Sequence, residues 1–274
     1  DISKWHIRDD RENVSGKKNA LDQAIKISKG EILFFTDADC SVQPAWIETM
    51  MQYFSDDVGL VIGFSAVEAK SFFEKLQQCD FLALMTAACG IANLGFPLAA
   101  SGQNLAYRRK AFDDVGGFEK IKQHISGDDV LMMQLIRKFT KYKVVFASDP
   151  ECFNTTKPET SLKNLIHQRS RWASNAGMMI KLNIAFFCYL GCVYAFHVLW
   201  LAGLILGIFQ PGILLITVYG WVTKWIIDLL VLANGSSIFK KRFSLLTFLA
   251  WFFLQTPYLI GVGIRGSLGL FRWK

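Results

Sequence analysis

The chain has 274 residues, enough for one large domain or two modest ones, with 52% hydrophobic residues and a mean hydropathy of +0.27. Its net charge of +7 lies entirely from Lys181 onward, where eight Lys/Arg stand against a single acid, Asp228, leaving a formally neutral front part. That distribution excludes a broad basic surface for nucleic acid, and the apolar excess of the last third excludes an ordinary soluble protein.

Residues 1–15 are polar and charged. Gly16-Lys17-Lys18-Asn19 then leads into an apolar stripe at helical spacing (Ala20, Leu21, Ala24, Ile25, Ile27) that stops at Gly30. A lysine beside a glycine at a helix start places a cation near free backbone N–H groups, which suits phosphate. Ile32 to Phe35 follow as a continuous apolar run, too short for a helix, and predict a fully buried strand of a mostly parallel sheet. The run ends in Thr36-Asp37-Ala38-Asp39. Ligands of open α/β sheets bind beyond the carboxyl ends of strands, where these two acids stand. Hard oxygens at that place suit a magnesium or manganese ion on a diphosphate, although a lone acid-x-acid sequence is more often a solvated turn and gains weight only from the motifs that follow.

Pro44 is placed for a helix start, with the helix over Ala45 to Phe54. Val58 to Ser65 predicts a strand weakened by Gly59 and Gly63, and Ser71 to Leu94 a helix apolar round most of its circumference. Ser101-Gly102-Gln103-Asn104 interrupts, Leu105-Ala106-Tyr107 resumes as structure, and Gly116-Gly117-Phe118 is a turn. Ser126-Gly127-Asp128-Asp129 stands directly before the apolar helix of Val130, Leu131, Met133, Leu135 and Ile136. Two acids there complement the helix dipole; alternatively, one of them is a proton acceptor whose neighbour raises its pKa towards neutrality. Val144 to Ala147 is a short strand. Ser161 to Met179 is predicted as one helix carrying Gln168-Arg169-Ser170-Arg171-Trp172, with Gln168, Arg171 and Trp172 on one face. Arginine can clamp phosphate and an indole can stack on a sugar; the same helix also reads as one lying on a bilayer surface.

Membrane spans are predicted near 184–209, 212–233 and 243–264, since no Asp, Glu, Lys or Arg lies between Lys181 and Lys224 or within Phe243 to Ile264. The basic loop Lys240-Lys241-Arg242 is then cytoplasmic, which also places the front domain in the cytoplasm; the basic end of the chain fits badly with three full crossings, which put it on the other side, and a re-entrant or interfacial segment is the alternative. Lys224 and Asp228, four residues apart in the second span, read equally as a functional pair or as mutual neutralisation. The six cysteines show no CxxC and no zinc-like spacing with histidine, a usage that fits a reducing compartment.

Taken in order, these motifs resemble the membrane-embedded family 2 glycosyltransferases, the cellulose, hyaluronan and poly-N-acetylglucosamine synthases. The likeness rests on Gly16-Lys17 with Asn19 and Ala20, Asp37-Ala38-Asp39, Gly102-Gln103-Asn104 with Tyr107-Arg108-Arg109, Gly116-Gly117-Phe118, Gly127-Asp128-Asp129 and Gln168-Arg169-Ser170-Arg171-Trp172. It spans roughly residues 8–180 and continues into the helices downstream. The resemblance implies an α/β, GT-A-like nucleotide-sugar domain over 1–180, followed by an α-helical transmembrane region over 181–274. It further implies an inverting, metal-dependent transfer from a nucleotide-sugar, a UDP-sugar favoured, to a glycan or lipid-linked acceptor at the cytoplasmic membrane. On it, Lys17, Asp37 and Asp128 face the donor, Asp39 holds the Mg or Mn ion, Asp129 is the general base, and Gln168, Arg169, Arg171 and Trp172 shape the substrate pocket. The family's first strand and its base-reading acid have no counterpart from Asp1 onward, so the sequence is expected to be a fragment that binds nucleotide poorly on its own. Gly-Asp-Asp replaces the Thr-Glu-Asp of cellulose synthases and is nearer the hyaluronan-synthase pattern. From another class, a membrane scaffold or transporter subunit with a retired transferase domain is the competing expectation.

Overall fold

A computed structural model of the chain describes residues 16–272; the polar lead at 1–15 and the terminal Trp273 and Lys274 lie outside them. The described chain forms two compact units, residues 16–65 with 91–154, and residues 66–90 with 155–272.

The first unit opens with α1 (Gly16–Ile27), followed by β1 (Ile32–Phe35), β2 (Cys40–Ser41), α2 (Trp46–Met51) and β3 (Val58–Ile62). The strand expected over 58–65 breaks at Gly63, and Ser65–Val67 forms a separate β4. The cause is packing: a Cβ at Gly63 would stand 2.3 Å from the Asn104 side chain. That side chain is fully buried, accepts from Trp46 Nε1 at 3.0 Å, and donates to the carbonyls of Phe64 and Cys152 at 2.9 and 2.8 Å. It thereby ties the backbone after β3 to that before β7.

After α3 (Phe72–Asn93), whose last residues re-enter the first unit, come β5 (Leu105–Arg108), α4 (Arg109–Asp114), α5 (Val130–Phe139) and β6 (Lys143–Phe146). The four-stranded sheet has the order β1-β5-β3-β6. This corrects the expected mostly parallel sheet: β5 runs antiparallel to both β1 and β3, and only β3 and β6 are parallel. A four-residue apolar run carries no directional information, and here direction follows from where the chain re-enters after α3. Among the described strands β1 is at the edge, and only Leu33 of its residues is buried, against all five of β3. Phe34 and Phe35 are half-covered by rings instead, Trp46 edge-on at 5.4 Å and Tyr107 stacked at 4.4 Å. The core lies where α5, with Leu131 to Ile136 all buried, covers the central strand residues Leu60, Val61 and Ile62. Gly116 and Gly117, at φ of 81° and 59°, make the expected turn after α4.

The second unit holds most of α3 and then β7 (Asn154–Thr156), which starts in the first unit, α6 (Leu162–Ala173), α7 (Ala176–Leu182), α8 (Ile184–Gly207), α9 (Pro211–Phe239) and α10 (Leu245–Ser267). The single helix expected over 161–179 is therefore two, separated at Ser174-Asn175. Helices α8, α9 and α10, of 24, 29 and 23 residues, are long and apolar enough to cross a membrane. Their packing uses glycine as close-approach sites: a Cβ at Gly203 would stand 2.3 Å from Thr217 Oγ1, and one at Gly207 2.8 Å from Leu214 Cβ. Small residues four apart on α8 thus let α9 come close, where dispersion replaces the hydrophobic effect that lipid cannot supply.

Candidate active site

The first unit gathers four of the expected site residues at the carboxyl end of β1. Lys17, in the first turn of α1, places Nζ 2.9 Å from Asp37 Oδ1 and 2.9 Å from Asp128 Oδ2. Asp129 completes the group. Its Oδ2 accepts from the Gly102 N–H at 2.9 Å and its Oδ1 from the Val130 N–H at 2.6 Å, so it also serves as N-cap of α5. The helix-start role expected of the acids is thus seen at Asp129, whose two accepted N–H bonds use two of the carboxylate's roughly four acceptor positions.

Gly102 sits at the focus of these groups. A Cβ there would meet Lys17 Nζ at 3.2 Å, Asp128 Oδ2 at 3.5 Å and Asp129 Oδ2 at 3.7 Å. A side chain at this position would fill the space the charged groups share. Gly127, at φ 89°, supplies the left-handed turn that delivers Asp128 and Asp129 consecutively to the cleft.

The electrostatics follow from one cation among three carboxylates. Burial alone pulls the Lys17 ammonium down, but Asp128, Asp37 and Asp129 outweigh it and hold its pKa above the ordinary lysine value. Lys17 is thus a fixed positive charge. Asp129 moves in the direction opposite to a paired acid. Burial first, then the neighbouring charge of Asp128, raise its pKa, against the opposing pull of Lys17 and the two N–H donors. Of the two adjacent acids, Asp128 carries the ion pair and Asp129 is the one driven towards protonation.

Lys18 is a residue of this site that the sequence reading passed over. It is fully buried, and its ammonium donates to the carbonyls of His124 and, at 3.0 Å, Ser126. Adjacent lysines on α1 point about 100° apart, so Lys17 reaches the acid of the Gly-Asp-Asp segment while Lys18 holds the backbone leading into it. The tandem Lys-Lys was the available signal; burial of the second could not be read from it. Tyr107, from the Tyr107-Arg108-Arg109 motif, also borders this group. With Lys17, Asp37, Gly102 and Asp128 it bounds a small cavity of about 30 Å³.

Asp39 is exposed, on the turn closed by the Cys40 N–H donating to the Asp37 carbonyl at 3.0 Å. Its carboxylate has a weak 3.8 Å contact with Cys40 Sγ and no ion pair among the described residues. No group of three or more His, Cys, Asp or Glu converges as a metal cage among the described residues. The donor set fits a hard ion of the magnesium type, which one or two carboxylates hold together with substrate phosphates.

Gln168, Arg169, Arg171 and Trp172 lie on α6, in the second unit. Gln168 Nε2 donates to Glu159 Oε1 at 3.2 Å. Arg169 is buried, pairs with Asp80 of α3 at 2.9 Å, and lays its guanidinium 4.1 Å from the Trp172 ring centroid. Asp80 in turn accepts from Trp251 Nε1 of α10 at 3.2 Å. Arg169 is thus committed to positioning the Trp172 indole, whereas Arg171 and Trp172 are half-buried. Asp80 was invisible in sequence because a lone acid in an apolar helix carries no mark of its partner.

A family model for glycosyl transferase family 21 matches residues 3–262. The chain belongs to glycosyl transferase family 21. The expectation of a glycosyltransferase holds at that level, while the family matched is not the family 2 synthase group that the motifs resemble. No curated protein matches the sequence. For a family 21 glycosyltransferase, a sugar donor and an acceptor follow from the class of reaction, and the three apolar helices indicate association with a membrane.

Proposed function

We propose that this family 21 protein is an inverting, metal-dependent glycosyltransferase of GT-A-like fold, related in its motifs to family 2. It passes a sugar from a nucleotide-sugar, a UDP-sugar favoured, to a glycan or lipid-linked acceptor at the cytoplasmic face of the inner membrane. The observation that carries the reading is Asp129, held by two backbone N–H groups beside the Lys17–Asp128 pair with its pKa raised by burial and by Asp128.

In this reading Asp129 takes the proton from the acceptor hydroxyl as that oxygen attacks the anomeric carbon from the face opposite the leaving nucleoside diphosphate. The two N–H groups keep the carboxylate oriented, and the raised pKa brings its basicity nearer to working pH. Lys17 and Asp37 bind the nucleotide end of the donor, and Asp128 keeps Lys17 in place. Asp39 would hold the Mg or Mn ion, which supplies positive charge to the diphosphate as it departs. The charge balance supports such an ion, because a cluster with one lysine among three carboxylates does not attract a diphosphate by itself. Arg169 orients Trp172 for the sugar or acceptor, with Gln168 and Arg171 beside it on α6.

The test uses the full-length protein in membranes with a panel of UDP- and GDP-sugars, Mg or Mn, and candidate acceptor lipids or glycans. Nucleoside diphosphate release is expected from at least one donor, abolished by EDTA and by Asp129→Asn. Release that survives Asp129→Asn removes the base assignment. No release from any donor favours the scaffold reading instead.

A further inference from the structure

Within the second unit, two polar residues of α3, Gln77 and Asp80, stand three apart on one face and reach the two ends of the Gln168–Trp172 segment by separate routes. Gln77 is buried and bonds the Glu159 backbone at both of its groups, Nε2 donating to the carbonyl and Oε1 accepting from the N–H, each at 2.9 Å. The Glu159 held in this way accepts from Gln168 Nε2 at 3.2 Å. A carboxylate only accepts, so it decides which end of the Gln168 amide turns towards it: the amino end faces Glu159, and the carbonyl oxygen is turned elsewhere.

Asp80 acts on the other end. It pairs with the buried Arg169 at 2.9 Å and accepts from Trp251 Nε1 of α10 at 3.2 Å. Arg169 lies over the Trp172 ring at 4.1 Å, and Phe81, the neighbour of Asp80, stands 5.9 Å from the guanidinium and 6.3 Å from the indole. A buried ion pair is a poor way to fasten two helices, since apolar side chains of similar size do so without the desolvation cost. It adds direction instead: the carboxylate restrains a planar guanidinium, and the face of that guanidinium restrains the ring beneath it.

We infer that Gln77 and Asp80 are positioning residues, through which one face of α3 sets the Gln168 amide by way of Glu159 and the Trp172 indole by way of Arg169. The inference rests on the transferase reading above for what Gln168 and Trp172 then do.

The experiment uses full-length protein in nanodiscs with 5-fluorotryptophan in place of tryptophan, the Trp172 fluorine resonance being assigned from Trp172→Phe. Asp80→Asn keeps an acceptor for Trp251 and removes the charge that restrains Arg169. The double variant Asp80→Leu with Arg169→Met replaces the ion pair by apolar contact. In both, the Trp172 resonance should shift or broaden. The double variant should unfold near the wild-type temperature, yet its KM for donor or acceptor should rise about tenfold with kcat within about threefold. Glu159→Gln, which lets the Gln168 amide turn over, should raise the same KM about threefold. An Asp80→Asn protein with the wild-type Trp172 resonance overturns the inference, as does a double variant that recovers stability, resonance and KM together, since the pair would then only fasten the helices. An unchanged KM in Glu159→Gln overturns the part of Gln77. Wild type that releases nucleoside diphosphate from no donor overturns the transferase reading, whereas the resonance still decides whether Asp80 positions Trp172.

Discussion

Two lysine–aspartate groups stand in the two units, and they differ in what they leave unsatisfied. In the first unit Lys17 serves Asp37 and Asp128 with Asp129 close behind, so carboxylates outnumber cations around the small cavity they border. In the second, Lys224 on α9 pairs with Asp228 one turn away, donates to Gln255 of α10, and lies 4.8 Å from the Phe252 ring centroid. That group is neutral and its donors are used. A nearby second polar contact, His197 Nδ1 with Thr256 Oγ1 at 2.9 Å, is likewise closed on itself. An apolar surrounding forces charges to cancel locally, whereas the first unit keeps an excess of carboxylates, an imbalance of the sign that a cation would offset. The same pair of residue types thus stands in a carboxylate-rich cluster in one unit and in a charge-balanced contact between α9 and α10 in the other.

The strongest way to break this contrast is Asp129→Asn. Loss of a positioned base is expected to lower turnover about 10³-fold, read as nucleoside diphosphate release; a tenfold loss or less would place the base elsewhere. Next in size is the membrane pair. Lys224→Met alone leaves Asp228 without its cation and is expected to cost about 3 kcal/mol, measured by unfolding in mixed micelles. The double variant Lys224→Met with Asp228→Leu should recover most of that loss and retain turnover, and a double variant no better than the single one would give the pair a role beyond fastening. Lys17→Met is expected to reduce kcat/KM for the donor about 100-fold, through lost attraction and a disordered Asp128.

The smallest effect is in pH. Because the folded state raises the Asp129 pKa, the acid limb of kcat/KM should lie above the ordinary aspartate value of about 3.9. The sign for stability is opposite to that of a salt-bridged acid. A raised folded pKa makes the Asp129 contribution most favourable below the unfolded value, and it is lost as pH rises through the folded one. Wild-type stability should therefore fall as pH rises through the folded Asp129 pKa, and Asp129→Asn should abolish that slope while being inactive, read by unfolding temperature against pH. Lys17, also raised, is fully protonated throughout that range and contributes no slope there.

Much of this molecule was legible in its residues. Glycine, proline and apolar spacing located α1, β1, α3, α5 and the three long apolar helices, because local pattern and chain punctuation act over a few residues. The acids of the site were legible too, since each stands at the end of an apolar element. The direction of β1 was not, nor was the break between α6 and α7, because both depend on what the segment packs against. Lys18 and Asp80 were likewise hidden. Each gains its meaning from a partner contributed by residues far away in sequence: Lys18 from carbonyls 106 and 108 positions on, and Asp80 from Trp251, 171 positions on. By itself the sequence determined the elements, the candidate acids and the apolar helices, for these are short-range properties. Which lysine meets which acid only the tertiary structure decided, because pairing and burial belong to the folded chain.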